Sequence, residues 1–307
     1  MIINEWGEVF TAKYGGDFPR SYMCVDTEFT GSNERDDLIV EIGHTMVEDC
    51  KVVDELNVVL NWYPTKYVEE GWLDYKLNNM RHIIGAGWRL TPAVVKAEGM
   101  DPVKALRFYH KLFATWSKRG LPFVAQNGQT ADERLLRGNF NRFINKPFEF
   151  PDNGYFDTGG IYKANKLWTS DSPDHTHLKA IMLPHRSDTL KAYFHRVIFT
   201  RVAGLKWNMK AMLDEYGIRE KHNMKDEQFH TAGFDAKCLH YVMEEYRKEA
   251  AEGAKSVLSP LEEAPIRTPS LPTIKPKEKP KPEAKAKPKT PSSSRTGKKR
   301  KRKQRVI

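Results

Sequence analysis

The segment Tyr22-Met23-Cys24-Val25 is apolar, rich in strand formers, and runs directly into Asp26-Thr27-Glu28. Such a run reads as a buried strand. Residues i and i+2 of a strand point to the same side, so Asp26 and Glu28 are expected to project together at its exit. Two carboxylates that close repel one another and lose hydration if buried unpaired. A divalent cation removes both costs, because hard oxygen ligands suit Mg²⁺ or Mn²⁺. Taken alone, the pair also fits a strand that ends in a solvated acidic turn. The other acids of the chain decide between the two.

A chain of 307 residues, 39% hydrophobic and 11% aromatic, can bury one sizeable core. No apolar run approaches the ~18 residues of a membrane span. The start, Met1-Ile2-Ile3-Asn4-Glu5-Trp6-Gly7, lacks a basic region followed by an apolar core, so no secretory leader is expected. Cys24, Cys50 and Cys238 have no metal-ligand spacing and read as reduced residues of an intracellular protein. The net charge of +10 divides unevenly: residues 267–307 carry +14 and residues 1–266 carry −4. The positive field belongs to a tail.

Three strands are expected first, at Tyr22 to Phe29, Leu38 to Val47 and Lys51 to Leu60, joined by tight turns as an antiparallel meander. Asn61 to Ala97 has no clean period and reads as a loop packed onto the core by Trp62, Tyr63, Tyr67, Trp72, Tyr75 and Trp88. Pro102 to Arg119 is an amphipathic helix, with Asp101 as its N-cap and Pro102 in the first turn. Then follow a strand at Leu121 to Gln126, a helix at Thr130 to Phe143, and a short strand ending near Asp157. Helices are expected at Thr189 to Val202, Lys206 to Tyr216 and Phe234 to Ala251. The fold class is therefore α/β, a mixed sheet of meander plus parallel strands, flanked by helices. From residue 253 the composition changes: nine of the eighteen prolines lie between Pro260 and Pro291, among Lys, Ala and Ser. Such a segment cannot bury enough apolar area to offset its ordering entropy. The division is an N-terminal arm at 1–18, a folded domain at 19–252 and a disordered basic tail at 253–307.

Two further stretches carry acids. In Val124-Ala125-Gln126-Asn127-Gly128 a strand ends in a turn, and the next helix carries Asp132 in its first turns. In Phe229-His230-Thr231-Ala232-Gly233-Phe234-Asp235 a loop enters the last helix, with Asp235 in its first turn. His230 is of the one residue type that exchanges a proton near neutral pH. Each stretch is common by chance; the three in this order are not.

The ordered set resembles the DEDDh (DnaQ-like) 3′–5′ exonucleases of the ribonuclease H-like fold, over roughly residues 20–250. The five-residue step from Asn127 to Asp132 is most like the three-prime repair exonuclease subgroup. Two departures stand out: Gln126 where the family usually has His, and Ala131 where an aromatic usually precedes the acid. The resemblance implies that Asp26, Glu28, Asp132 and Asp235 hold two Mg²⁺ ions, with Mn²⁺ as a substitute. It implies His230 as general base, and Phe29, Thr30 and Asn127 as contacts to the terminal nucleotide. Two divalent ions suit phosphodiester hydrolysis because they acidify a water and stabilise the leaving oxygen. The implied substrate is nucleic acid with a free 3′ end, DNA before RNA, releasing nucleoside 5′-monophosphates. A homodimer is compatible with the resemblance.

The run Lys298-Lys299-Arg300-Lys301-Arg302-Lys303-Gln304-Arg305 fits a nuclear import receptor or a phosphate backbone, which makes a nuclear protein the expectation. Asp174-His175-Thr176-His177, with His185, reads as a solvated loop rather than a second metal site. Two other functions compete with the exonuclease: a weak or inactive nucleic-acid-binding protein on the same scaffold, and an adaptor that works through its tail.

Overall fold

The computed structural model describes residues 18–258, apart from 64, 65, 86, 171, 173–177 and 179–187. All of them belong to one unit, Met1–Glu263; the basic tail beyond 258, the arm at 1–17 and the 174–177 and 185 histidine cluster lie outside the described residues.

β1 (Tyr22–Phe29), β2 (Ile39–Glu48) and β3 (Lys51–Val59) form the meander. β4 (Phe123–Ala125) and β5 (Tyr155–Asp157) then add to the other edge of β1 in parallel, giving the sheet order β3-β2-β1-β4-β5. This is the mixed sheet, an antiparallel meander followed by parallel strands, expected from the sequence. β1 and β2 are almost wholly buried because helices cover both their faces.

On one face lies α9 (Ala232–Leu258), packed along β1, β2 and β3. Its buried stripe of Ala236, Leu239, Val242, Met243 and Tyr246 recurs at helical spacing. Tyr22, Cys24, Asp26 and Glu28 alternate toward this face, and the Tyr22 hydroxyl lies 2.9 Å from His240 Nδ1. The opposite face carries α3 (Pro102–Lys118) and α4 (Asp132–Ile144). There the Tyr109 hydroxyl donates to the Ile42 carbonyl at 2.9 Å. Asp101 caps α3 through the Lys104 amide at 2.8 Å, as its sequence position predicts.

The aromatic segment Asn61 to Ala97 is not a loop. It contains α1 (Glu70–Ile84) and α2 (Pro92–Glu98). Trp62, Leu73, Leu77 and Trp88 are buried, but Tyr67, Tyr75 and Ile83 are exposed, and this apolar character on both faces obscured the period. A further helix, α5 (Thr158–Thr169), starts at β5's end behind the Asp157 cap, in a Gly159-Gly160 sequence that gives weak helical signal. α6 (Leu190–Phe199), α7 (Met209–Glu215) and α8 (Ile218–Lys221) follow. α9 extends six residues past the expected domain boundary at 252.

Candidate active site

Antiparallel pairing sets Asp26 opposite Gly43 and Glu28 opposite Glu41. Partners in register share a face, so these four positions form one patch under the first turn of α9. Gly43 is required there. A Cβ on it would overlap the Ala232 carbonyl carbon and the Gly233 nitrogen, so only a glycine lets α9 come down onto the sheet.

The first amides of a helix have no partner within it. Here the sheet supplies them. Glu41 Oε2 accepts from the Ala232 amide at 2.9 Å, and Asn57 Oδ1 accepts from the Gly233 amide at 2.7 Å. Asn57 in turn donates to Glu41 Oε1 at 2.7 Å. Just before this turn, His230 adopts a left-handed backbone, φ 62°. That conformation costs free energy for a non-glycine residue and is held by its surroundings. The His230 amide donates to Asp235 Oδ2 at 3.0 Å, which ties the two residues into one corner.

Asp132 arrives from the other face. Asn127 takes a left-handed turn, φ 54°, and its carbonyl accepts from the Thr130 and Ala131 amides. Behind this turn, buried Asp157 accepts from the Tyr155 hydroxyl at 2.6 Å and the Gly160 amide at 3.0 Å. α4 then begins at Asp132, whose Oδ1 accepts from the Thr27 hydroxyl at 2.6 Å. Thr27 points to this face because it alternates with Asp26 and Glu28.

The four carboxylates and His230 line one open cleft of about 610 Å³. Burial, then the charges of Asp132, Asp235 and Glu28, push the Asp26 carboxyl well above the usual range. Burial, then Asp235, does the same to Glu28. Burial raises Asp132 to about 7 against the opposing Thr27 hydrogen bond. Burial also raises Asp235 to about 7, against the His230 amide. Burial and nearby Lys210 lower the His230 imidazole below its ordinary value, favouring the neutral form that can accept a proton. Its Nδ1 lies 3.9 Å from Glu28 Oε1.

This donor set fits divalent cations. Glu28, His230 and Asp235 offer ligand atoms within 4.8 Å of one another. Asp235 is nine-tenths buried, and its Oδ1 has no hydrogen-bond partner among the described residues. A buried carboxylate oxygen without a donor is costly unless a cation meets it.

Phe29 and Asn127 also line the cleft. Thr30 does not: its hydroxyl donates to Asp37 at 3.1 Å and accepts from the Leu38 amide at 2.9 Å, so it fastens the β1–β2 turn instead. The helix expected from Lys206 begins only at Met209, because Asn208 caps it through the Ala211 amide at 2.9 Å. Leu205 to Asn208 thereby become a wall of the cleft, fastened where Gln126 Nε2 donates to the Trp207 carbonyl at 3.0 Å. Sequence reasoning missed Glu41, Gly43, Asn57 and this wall. An acid and a glycine inside the apolar run Ile39-Val40-Glu41-Ile42-Gly43 were the available signal.

No family model and no curated protein matches the chain. Comparison with solved structures finds E. coli exonuclease I in complex with a dA16 oligonucleotide, 13% identical over 77% of this chain and 43% of that one, TM-score 0.47. An apo exonuclease I is 15% identical over 78% and 44%, TM-score 0.47. A product-bound exonuclease I is 14% identical over 78% and 46%, also with TM-score 0.47. The chain spans less than half the length of these structures.

Proposed function

We propose that this chain is a metal-dependent 3′–5′ exonuclease that releases nucleoside 5′-monophosphates, with DNA as the favoured substrate. One observation carries the reading: four carboxylates from three distant stretches share one cleft with His230. Their mutual repulsion is unfavourable in an empty protein and useful in one that binds cations. Asp26, Glu28, Asp132 and Asp235 would hold divalent ions, which neutralise phosphate charge and acidify a water.

The chain's own groups do the rest. Neutral His230, at the cleft's edge with its side chain 42% exposed, accepts the proton of the attacking water. Thr27 holds the Asp132 carboxylate in orientation. Phe29 offers a ring on which a terminal base can stack, and Asn127 offers an amide to the nucleotide. The basic run 298–305 would deliver the protein to the nucleus or raise affinity for phosphate backbones, a proposal that rests on composition.

The test is trimming of matched 3′-labelled DNA and RNA strands in Mg²⁺, with Asp26→Ala and His230→Ala beside the wild type. Wild-type trimming that Asp26→Ala loses and His230→Ala reduces to a small measurable residue is the expected result. No trimming of any single- or double-stranded substrate overturns the reading in favour of a binding protein on this scaffold. Transfer of the basic run to a reporter, with no nuclear accumulation, would remove the localisation proposal.

A further inference from the structure

We infer that Arg89 and Glu41 are positioning residues for the proposed hydrolysis, acting through His230; the inference rests on the exonuclease reading of the site. Glu41 is fully buried, directly opposite Glu28, and lies outside the three sequence stretches that carry Asp26, Asp132 and Asp235. It is not a cation ligand. Asn57 Nδ2 and an Arg89 guanidinium nitrogen both donate to Oε1, and the Ala232 amide donates to Oε2. Its Oε2 bond holds the first turn of α9 at Ala232, two residues after His230 and three before Asp235.

Arg89 is the countercharge that permits such a carboxylate to be buried. It reaches Glu41 with one arm and Glu98 with the other, at 3.0 Å. Its segment is anchored by buried Trp88 and Leu90. Gly87, two residues before Arg89, packs on the imidazole, and a Cβ there would lie 3.1 Å from His230 Cδ2. Arg89 thus holds two things in register: the helix turn beneath His230, through Glu41, and the backbone that bounds its ring, through Gly87.

His230 needs this. Its left-handed backbone persists only if several contacts agree on it, and its side chain is 42% exposed, so the cleft side gives little restraint. Groups behind a ligand or a base set its orientation, and losing one costs about 10- to 100-fold in activity.

Three variants separate positioning from bulk stability. Arg89→Met removes the countercharge. Arg89→Lys keeps the charge and loses the two-armed grip. Glu41→Gln keeps an acceptor for the Ala232 amide. Thermal melting establishes that each is folded. The expected result for Arg89→Met and Glu41→Gln is a fall in kcat of about 10- to 100-fold with KM within about twofold, and for Arg89→Lys a partial rescue. In a His230→Ala background the same changes cost less than about twofold, since no imidazole remains to be placed. A second readout needs no turnover: the His230 ring-proton NMR resonance of the metal-free protein, assigned by its loss in His230→Ala. It should move in Arg89→Met while the buried His44 and His240 resonances stay. Unchanged kcat, an equal loss with and without His230, or an unmoved resonance overturns the inference. If the wild type trims nothing, the exonuclease reading falls separately, and the resonance alone then decides whether Arg89 sets the His230 ring.

Discussion

Two walls of the same cleft are built differently. Beneath α9, Gly43, Glu41 and Asn57 hold His230 and Asp235 through backbone contact and two amide hydrogen bonds, all on paired strands. Across from it, Leu205 to Asn208 is a partly exposed connection fastened to β4's exit by the Gln126 side chain. Asp26 and Glu28 stand on the sheet itself, and His230 and Asp235 are fastened to it. The wall at Leu205 to Asn208 has the Gln126 fastening and is partly exposed, which leaves it freer to adapt to what lies in the cleft. On the exonuclease reading, a firmly held set of reacting groups beside an adaptable grip would suit a sequence-tolerant enzyme.

The contrast is breakable, and the largest effect belongs to the rigid side. Asp235→Ala should reduce trimming on the order of 10³-fold or more, as loss of a group that acts as part of a unit does. It should also abolish stabilisation by Mn²⁺ in thermal melts. Retained Mn²⁺ stabilisation would detach Asp235 from the cation site. Next, Gly43→Ala forces α9 off the sheet. Overpacking of this kind costs about 1–3 kcal/mol, and a displacement near 1 Å costs about 100-fold in rate. Denaturant unfolding and kcat measure the two losses; normal kcat would show that the seat is looser than its geometry.

The third effect is a pH dependence. Asp132 and Asp235 are raised to about 7 in the folded chain, chiefly by burial, whereas free carboxylates titrate near about 4. Between these values the folded state holds protons the unfolded state has released. Their contribution to the stability of the metal-free protein therefore falls as pH rises through that window. The wild-type melting temperature should decline more steeply than that of Asp235→Asn, and Mn²⁺ should flatten it. Equal slopes would mean that the folded chain does not penalise the charge. The smallest effect lies on the adaptable side: Gln126→Ala should raise KM by about threefold, a loss of roughly one hydrogen bond, with kcat nearly unchanged. An equal loss in kcat would show that this wall, too, places reacting groups.

The sheet was legible because β1 and β2 are apolar runs whose length and turns admit few alternatives, and because Asp26 and Glu28 break the first run at period two. The acids and His230 were legible as motifs, since each lies next to a turn that its neighbours announce. Glu41 was not, because its meaning depends on the register of β2 against the start of α9, 191 residues away. α1 escaped notice because Tyr75 and Ile83 put large apolar groups on its outer face. The wall at Leu205 to Asn208 was hidden by continuing α7 backward through its own cap, Asn208. Local chemistry shows in sequence; contacts between distant elements show only once register is set.

That two of the five site residues come from the final described helix and its entry loop also orders events in time. A polypeptide emerging from the ribosome exposes Asp26, Glu28 and Asp132 long before His230 and Asp235 exist, and the place over Gly43 stays vacant until they do. On the exonuclease reading, the half-made protein would be harmless to the nucleic acids around it. Nascent chains arrested at residue 225 should leave a 3′-labelled strand intact, and chains released after α9 should not.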